Sequence, residues 1–148
     1  MKPQGKGRTL EASREGGVVA MEFVLLFPLF FLILAGIVEF GHLWYVRHTL
    51  TNATREGARA AVVYYVQPDS SAPPRTTWAT DTAKATVDKY LQDTKFSSPY
   101  TVETTAGSQS GDLVTVTLTA PNGLLVLDSL VPAFQNLAVS AETSMKME

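Results

Sequence analysis

The feature that most restricts this chain is an uncharged apolar run of sixteen residues, Phe23–Val38, close to the amino terminus. As a helix this run would be about 24 Å long, which is shorter than the ~30 Å hydrocarbon core of a bilayer. The helix reaches a full span when the residues on either side are included, which brings Glu22 and Glu39 into or near the membrane. We therefore predict a transmembrane helix over residues 18–46.

The charges on either side of this helix predict its orientation. Basic residues are enriched at the cytoplasmic side of membrane helices, and four precede the helix whereas three follow it closely. In chain order they are Lys2, Lys6, Arg8 and Arg14, then Arg47, Arg55 and Arg59. We therefore predict a cytoplasmic amino terminus. Residues 1–17, with a net surplus of positive charge, are predicted to be a basic leader without regular structure.

A cleavable secretory signal peptide is the main alternative for this end of the chain. Such a peptide has a shorter apolar region that is followed directly by a cleavage sequence of small residues. Here the apolar run is followed by Trp44 and Tyr45, which are residue types enriched at membrane–water interfaces. The sequence favours a retained single-pass helix with an extracytoplasmic carboxyl-terminal domain.

Composition argues against several classes of function. The chain has 148 residues, a formal net charge of −2 and no cysteine. Its mild acidity disfavours a nucleic-acid partner, which would require a basic patch. Disulfides cannot form, and His42 and His48 are the only histidines, so we predict no metal site and no cofactor. No arrangement of residues suggests a nucleophile with its base, and we predict neither enzymatic activity nor a small-molecule substrate.

The helix is predicted to continue beyond the membrane over residues 47–66. Apolar and small residues recur there at alternating intervals of three and four, which is typical of a helix with one buried face. They are Leu43, Val46, Leu50, Ala53, Gly57, Ala60 and Tyr64. Residues 67–77 are rich in serine and proline and are predicted to be a linker.

Residues 78–148 are predicted to be a small α+β domain. Residues 78–92 have the pattern of an amphipathic helix, and three later segments are rich in β-branched residues or alternate between apolar and polar positions. These predicted strands are 100–105, 113–119 and 137–148. The apolar segment 124–134 is compatible with a short helix or a packed loop. The predicted fold is α+β, with a long transmembrane helix, a second helix and an antiparallel sheet of about three strands.

Three blocks in the first 59 residues resemble the TadE-like family, whose members are minor pseudopilins of the tight-adherence (Flp) pilus system. They are Val18–Phe23 (VVAMEF), Gly36–Gly41 (GIVEFG) and Leu50–Arg59 (LTNATREGAR). The resemblance extends from Gly17 to Arg59, which is about 43 of 148 residues, and the spacing of the blocks makes it specific.

The resemblance implies that the leader is removed. In pilin-like precursors a membrane prepilin peptidase cuts after a glycine, which here would be the Gly17–Val18 bond. Cleavage would leave a new amino group on Val18, and Glu22 would lie four residues further along. The ammonium group of a neighbouring subunit could neutralise Glu22, which is costly to hold in lipid as an isolated carboxylate. In the alternative interpretation, Glu22 lies at the cytoplasmic headgroups and has no role.

Five further residues within the resemblance are candidates for helix contacts: Glu39, His42, Arg55, Glu56 and Arg59. Glu39 precedes His42 by about one helical turn and could share a hydrogen bond with it. Alternatively, Glu39 is a carboxylate at the outer membrane surface or contacts another subunit. Arg55, Glu56 and Arg59 are predicted to form ion pairs on the surface or between the helix and the domain.

Together these features predict a TadE-like minor pseudopilin or pilus assembly protein of the bacterial inner membrane. Its expected partners are the membrane, a prepilin peptidase, other pilins or pseudopilins, and pilus assembly proteins. One alternative is a permanently anchored single-pass binding module with no pilus role. Another is an assembly factor that never enters a filament, which the sequence does not separate from the first hypothesis.

Overall fold

The computed structural model describes residues 8–63, 71–121, 124 and 137–147, with the backbone alone in residues 8–16. Five elements follow one another along the chain. They are α1 (Arg8–Ala61), α2 (Arg75–Asp93), β1 (Thr101–Ala106), β2 (Leu113–Ala120) and β3 (Val139–Lys146). The predicted fold class is confirmed, since a long apolar helix and a second helix accompany a three-stranded antiparallel sheet.

The chain divides into two compact units, residues 1–38 and 39–148. The described part of the first unit is the amino-terminal portion of α1, where nearly all side chains from Val18 to Val38 are exposed. The second unit contains the rest of α1, α2 and the sheet, and it holds the hydrophobic core.

The sheet has the order β1-β2-β3, and its inner face is defined by alternation along the central strand β2. Val114, Val116 and Leu118 on β2 are fully buried, whereas the threonines between them are partly exposed. Leu118 pairs with Val102 on β1 and with Ala141 on β3, so one row of inward side chains crosses all three strands. Because successive side chains of a strand point to opposite faces, Val114, Val116, Leu118 and Ala120 all lie on the inner side of β2, whereas Leu113 lies on the outer side and is exposed.

Buried side chains of both helices complete this core. On α1 these include Val46, Leu50, Ala53, Ala58 and Ala61, and on α2 they are Ala79, Ala83, Val87 and Leu91. The spacing of four along α2 produces a single apolar face, as expected for a helix with one buried side. The contribution of α1 consists largely of alanines, whose small size allows close approach of the backbones.

The ends of α1 differ from the sequence-based prediction at both termini. The helix begins at Arg8, whereas the prediction for residues 1–17 was an irregular leader. Leucine, alanine, glutamate and arginine in this stretch are good helix formers, and an existing helix extends into such residues at low cost. At the other end α1 stops at Ala61, which is short of the predicted residue 66. The next residues, Val62 and Val63, are β-branched and therefore less favourable in a helix. Residues 64–66 lie outside the described residues.

Helix α2 begins at Arg75, three residues before the predicted start at residue 78. Pro74 occupies the N-cap with an extended backbone (φ −54°, ψ 151°), and its carbonyl accepts a hydrogen bond from the Trp78 N–H at 2.9 Å. Proline is well tolerated at a helix start because the N–H that it lacks would have no intrahelical partner there. Pro74, which belongs to the predicted linker, therefore immediately precedes the helix.

A hydrogen bond joins α2 to the start of β1. The Tyr100 hydroxyl donates to Asp88 Oδ1 at 3.0 Å. Burial of Tyr100, followed by this hydrogen bond and the charge of Asp88, raises the pKa of the phenol above its ordinary value of 10.0. The folded state therefore favours the neutral phenol, and the resulting stabilisation is lost as pH rises through the folded-state pKa.

We expect Tyr100→Phe to make the protein less sensitive to alkaline pH, at a cost of about 1 kcal/mol near neutrality for the lost hydrogen bond. Unfolding midpoints measured by circular dichroism from pH 7 to pH 11 would test this. The stability of the parent protein should fall more steeply than that of the variant above pH 10. Parallel curves for the two proteins would contradict the assignment.

Candidate functional site

The amino-terminal candidates lie together on the exposed part of α1. Gly17, Val18 and Glu22 are all exposed, and the side chain of Val18 has 60% of its surface accessible. A Cβ atom added to Gly17 would meet nothing within 4 Å. Among the described residues, these positions are therefore open and accessible to another molecule. Cleavage after Gly17 and pairing of Glu22 stay predictions.

The stretch that follows has the properties of a membrane span. Among the described residues, one helix is long and apolar enough to cross a membrane, within Gly17–Ala61; its most apolar 18 residues have a mean hydropathy of 2.6 and none of them is buried. The helix continues through Pro28. Phe23, Phe27 and Phe31 follow at intervals of four, with successive ring centroids 5.5 and 6.4 Å apart. This surface is suited to lipid tails or to other apolar helices.

Glu39 is one of the buried residues of α1, and its side chain is only 2% exposed. A hydrogen bond with His42, a position at the outer membrane surface and a contact with another subunit stay predictions for this residue. A buried carboxyl group needs a polar partner, and Glu39 has an interaction partner in the structure. The spacing contains a signal for this burial, because Glu39 precedes Leu43 by four residues and Val46 by seven. It therefore extends the buried stripe of α1 by one turn.

The other predicted contact residues are more exposed and do not form one cluster. His42, one turn after Glu39, is half-buried. Arg55, Glu56 and Arg59 are all exposed, and Arg55 lies about 24 Å from Glu39 along an ideal helix. The predicted ion pairs of these three residues stay predictions.

The part of α1 between Leu50 and Arg59 instead contributes small and hydroxyl-bearing residues to the domain. A Cβ atom added to Gly57 would lie 2.6 Å from Val87 Cγ2 and 3.1 Å from the Ala83 carbonyl oxygen, so α1 and α2 cross here at close range. Thr54, fully buried, donates to the Thr51 carbonyl at 2.9 Å and pairs with the Thr143 hydroxyl on β3 at 2.9 Å. This segment therefore fixes the position of α1 against both α2 and the sheet.

One set of side chains on the open face of α1 was not predicted as a site from the sequence. Trp44, Arg47, His48 and Thr51 line a shallow groove of about 130 Å³. Their spacing of three and four residues was available as a signal, since it places side chains on one helical face. The exposure of these side chains could not be predicted from the sequence, because it depends on which face of α1 the domain covers.

The comparisons with known proteins agree with these features. Residues 17–59 match the family described as TadE-like protein. No curated protein and no solved structure matches the chain. The family match confirms the resemblance drawn from the three sequence blocks, and it covers the exposed apolar part of α1 together with the part that packs on α2 and β3. Residues 17–59 are thus similar to TadE-like proteins, which suggests an association with the Tad pilus, and they contain a helix that could span a membrane.

Proposed function

We propose that this protein is a TadE-like minor pseudopilin or assembly protein that acts in the biogenesis of Flp (tight-adherence) pili. It is made as a precursor in the bacterial inner membrane and is cut between Gly17 and Val18 by a prepilin peptidase. The observation that carries the proposal is the position of the family match, which begins at Gly17, directly before the apolar stretch of α1.

In this proposal Glu22 has a chemical role in docking. An ionised carboxylate at the centre of a bilayer helix costs about 2.5 kcal/mol or more, so an acidic side chain in such a helix requires a counter-charge or a proton. Cleavage creates an ammonium group on Val18. In an assembly, the Val18 ammonium of one subunit neutralises Glu22 of the next, which fixes the axial register between the two helices.

The two units of the chain have separate tasks in this proposal. The exposed apolar part of α1 joins a bundle of other pilin-like helices. The second unit, which contains the hydrophobic core, forms the small extracytoplasmic domain. The contacts of Gly57 and Thr54 attach the domain to the same helix that carries Glu22. The role is one of assembly, and we propose no catalytic activity and no bound cofactor.

Replacement of Gly17 tests the processing step. We expect Gly17→Leu to leave the leader attached, because the peptidase recognises the glycine, while folding is unaffected since the position has open space around it. The measurement is amino-terminal sequencing of the membrane-extracted protein from its own host, with and without the prepilin peptidase. The parent protein should begin at Val18 only when the peptidase is present.

Gly36→Leu is the matched control, because Gly36 is another glycine of α1 that has open space around it. Its leader should be removed normally. An intact leader on the parent protein in both hosts would overturn the processing step and favour the permanently anchored binding module. The presence or absence of the mature chain in sheared pili would then distinguish a filament subunit from an assembly factor that stays in the membrane.

A further inference from the structure

The groove on the open face of α1 contains the side chains expected of an anion site. Trp44, Arg47, His48 and Thr51 line it, and all but the half-buried Thr51 are exposed. The opposite face of the same turns is occupied, since Val46 and Leu50 are buried in the core of the domain. Among the described residues, the groove therefore lies on the face of α1 that the domain leaves open, where it is accessible to another molecule.

We propose that this groove binds the phosphate group of an anionic phospholipid in the outer leaflet of the inner membrane. The proposal rests on part of the proposed function, namely that α1 spans the inner membrane with its amino terminus in the cytoplasm. It does not depend on cleavage after Gly17 or on pilus assembly.

Charge complementarity supports an anionic ligand. The sequence from Phe40 to Arg55 contains no acidic residue, so the positive charge of Arg47 is not neutralised by a neighbour in sequence. A guanidinium group offers several N–H donors in a planar fork that matches phosphate oxygens, and such charge-assisted hydrogen bonds are stronger than neutral ones.

The hydrogen-bonding capacity of the groove also fits a phosphate. The Thr51 hydroxyl donates its single proton to the Arg47 carbonyl at 2.8 Å, so Thr51 shapes the groove without offering that proton to a ligand. The remaining donors are the Arg47 guanidinium, an imidazole N–H of His48 and the indole N–H of Trp44. Three donors of this kind suit an oxyanion, which has only acceptor atoms to present.

The apolar surroundings of the groove identify a lipid as the source of the phosphate. On the side toward the membrane, Phe40 and Trp44 are 68% and 66% exposed, and their ring centroids are 6.3 Å apart. Arg47 is the first basic residue after the apolar run. A pair of exposed aromatic rings followed by a cation is the arrangement that places a helix at the level of the lipid headgroups, where phosphates lie.

The test is native mass spectrometry of the full-length protein released from mixed phosphatidylcholine and phosphatidylglycerol nanodiscs. We expect the parent protein to retain phosphatidylglycerol in preference to phosphatidylcholine. Arg47→Gln should lower this retention about tenfold, since a charge-assisted hydrogen bond is lost, and His48→Gln should lower it less. Lys84→Gln, which removes an exposed basic residue from α2, should leave it unchanged.

Several outcomes would overturn the proposal. Equal losses in Arg47→Gln and Lys84→Gln would show that any surface cation serves. Displacement of the lipid by an excess of inorganic phosphate would show a general anion site without specificity for a lipid. A dimer that Arg47→Gln dissociates, with no change in lipid retention, would assign the groove to a second copy of the chain.

Discussion

Replacing Gly57 with alanine is expected to destabilise the protein, although alanine is the better helix former. The added methyl group would lie 2.6 Å from Val87 Cγ2 and 3.1 Å from the Ala83 carbonyl oxygen. Val87 is fully buried and has a short, stiff side chain, so neither neighbour can move aside easily. Overpacking of this kind costs about 1–3 kcal/mol, against a gain of about 1 kcal/mol in helix propensity. We expect a net loss of up to about 2 kcal/mol.

Gly41→Ala is the matched control for this prediction. Gly41 lies on the same helix, but a Cβ atom there would meet nothing within 4 Å, so only the gain in helix propensity applies. The measurement is denaturant unfolding of the full-length protein in detergent micelles, followed by near-UV circular dichroism. The midpoint should fall for Gly57→Ala and remain or rise for Gly41→Ala. A rise in both would mean that α1 and α2 are not in close contact at Gly57.

Truncation of Leu118 to alanine is expected to have the larger effect on stability. Leu118 is fully buried on the central strand, and its register partners are Val102 on β1 and Ala141 on β3. Removing a buried leucine side chain costs about 2–5 kcal/mol, because its transfer free energy is lost and a cavity remains. Since domains of this size are stable by only about 5–15 kcal/mol, we expect a large shift of the unfolding midpoint.

Leu113→Ala on the same strand separates burial from strand propensity. Leu113 is 58% exposed, and substitutions at exposed positions usually change stability by no more than about 0.5 kcal/mol. Both variants are measured by the unfolding experiment used for Gly57. Comparable losses for Leu113→Ala and Leu118→Ala would contradict the assignment of the buried face of β2.

The strands were predictable because their two faces meet different environments. In residues 137–148 the odd-numbered positions share one face, and from Val139 to Met147 they are the more buried residues of the segment. Leu137 belongs to the same face by its position, but it precedes the strand and is 44% exposed. A period of two thus identifies the face of a strand, but it does not locate the residue where pairing begins.

The burial of Glu39, in contrast to the faces of the strands, was not predicted from the sequence. Its spacing to Leu43 and Val46 was compatible with burial, but a carboxylate beside an apolar run is ordinarily assigned to a membrane surface. Burial of such a group requires a polar partner, and the period of the apolar positions does not identify that partner. The groove at Arg47 was not predicted for a similar reason. The residue types that line it can be read from the sequence, but their exposure depends on how the domain covers α1.

The start of α1 at Arg8 has a consequence for the timing of processing. The Gly17–Val18 bond lies inside a helix, so its neighbouring amide groups are engaged in helical hydrogen bonds instead of being presented in an extended form. Gly16 and Gly17 each weaken the helix by about 1 kcal/mol relative to alanine, and they lie within ten residues of its end. The first three turns can therefore fray up to the bond without disturbing the apolar span. On the proposed cleavage, the rate of maturation would be set by how often this end opens, a frequency that amide hydrogen exchange in residues 8–17 measures directly.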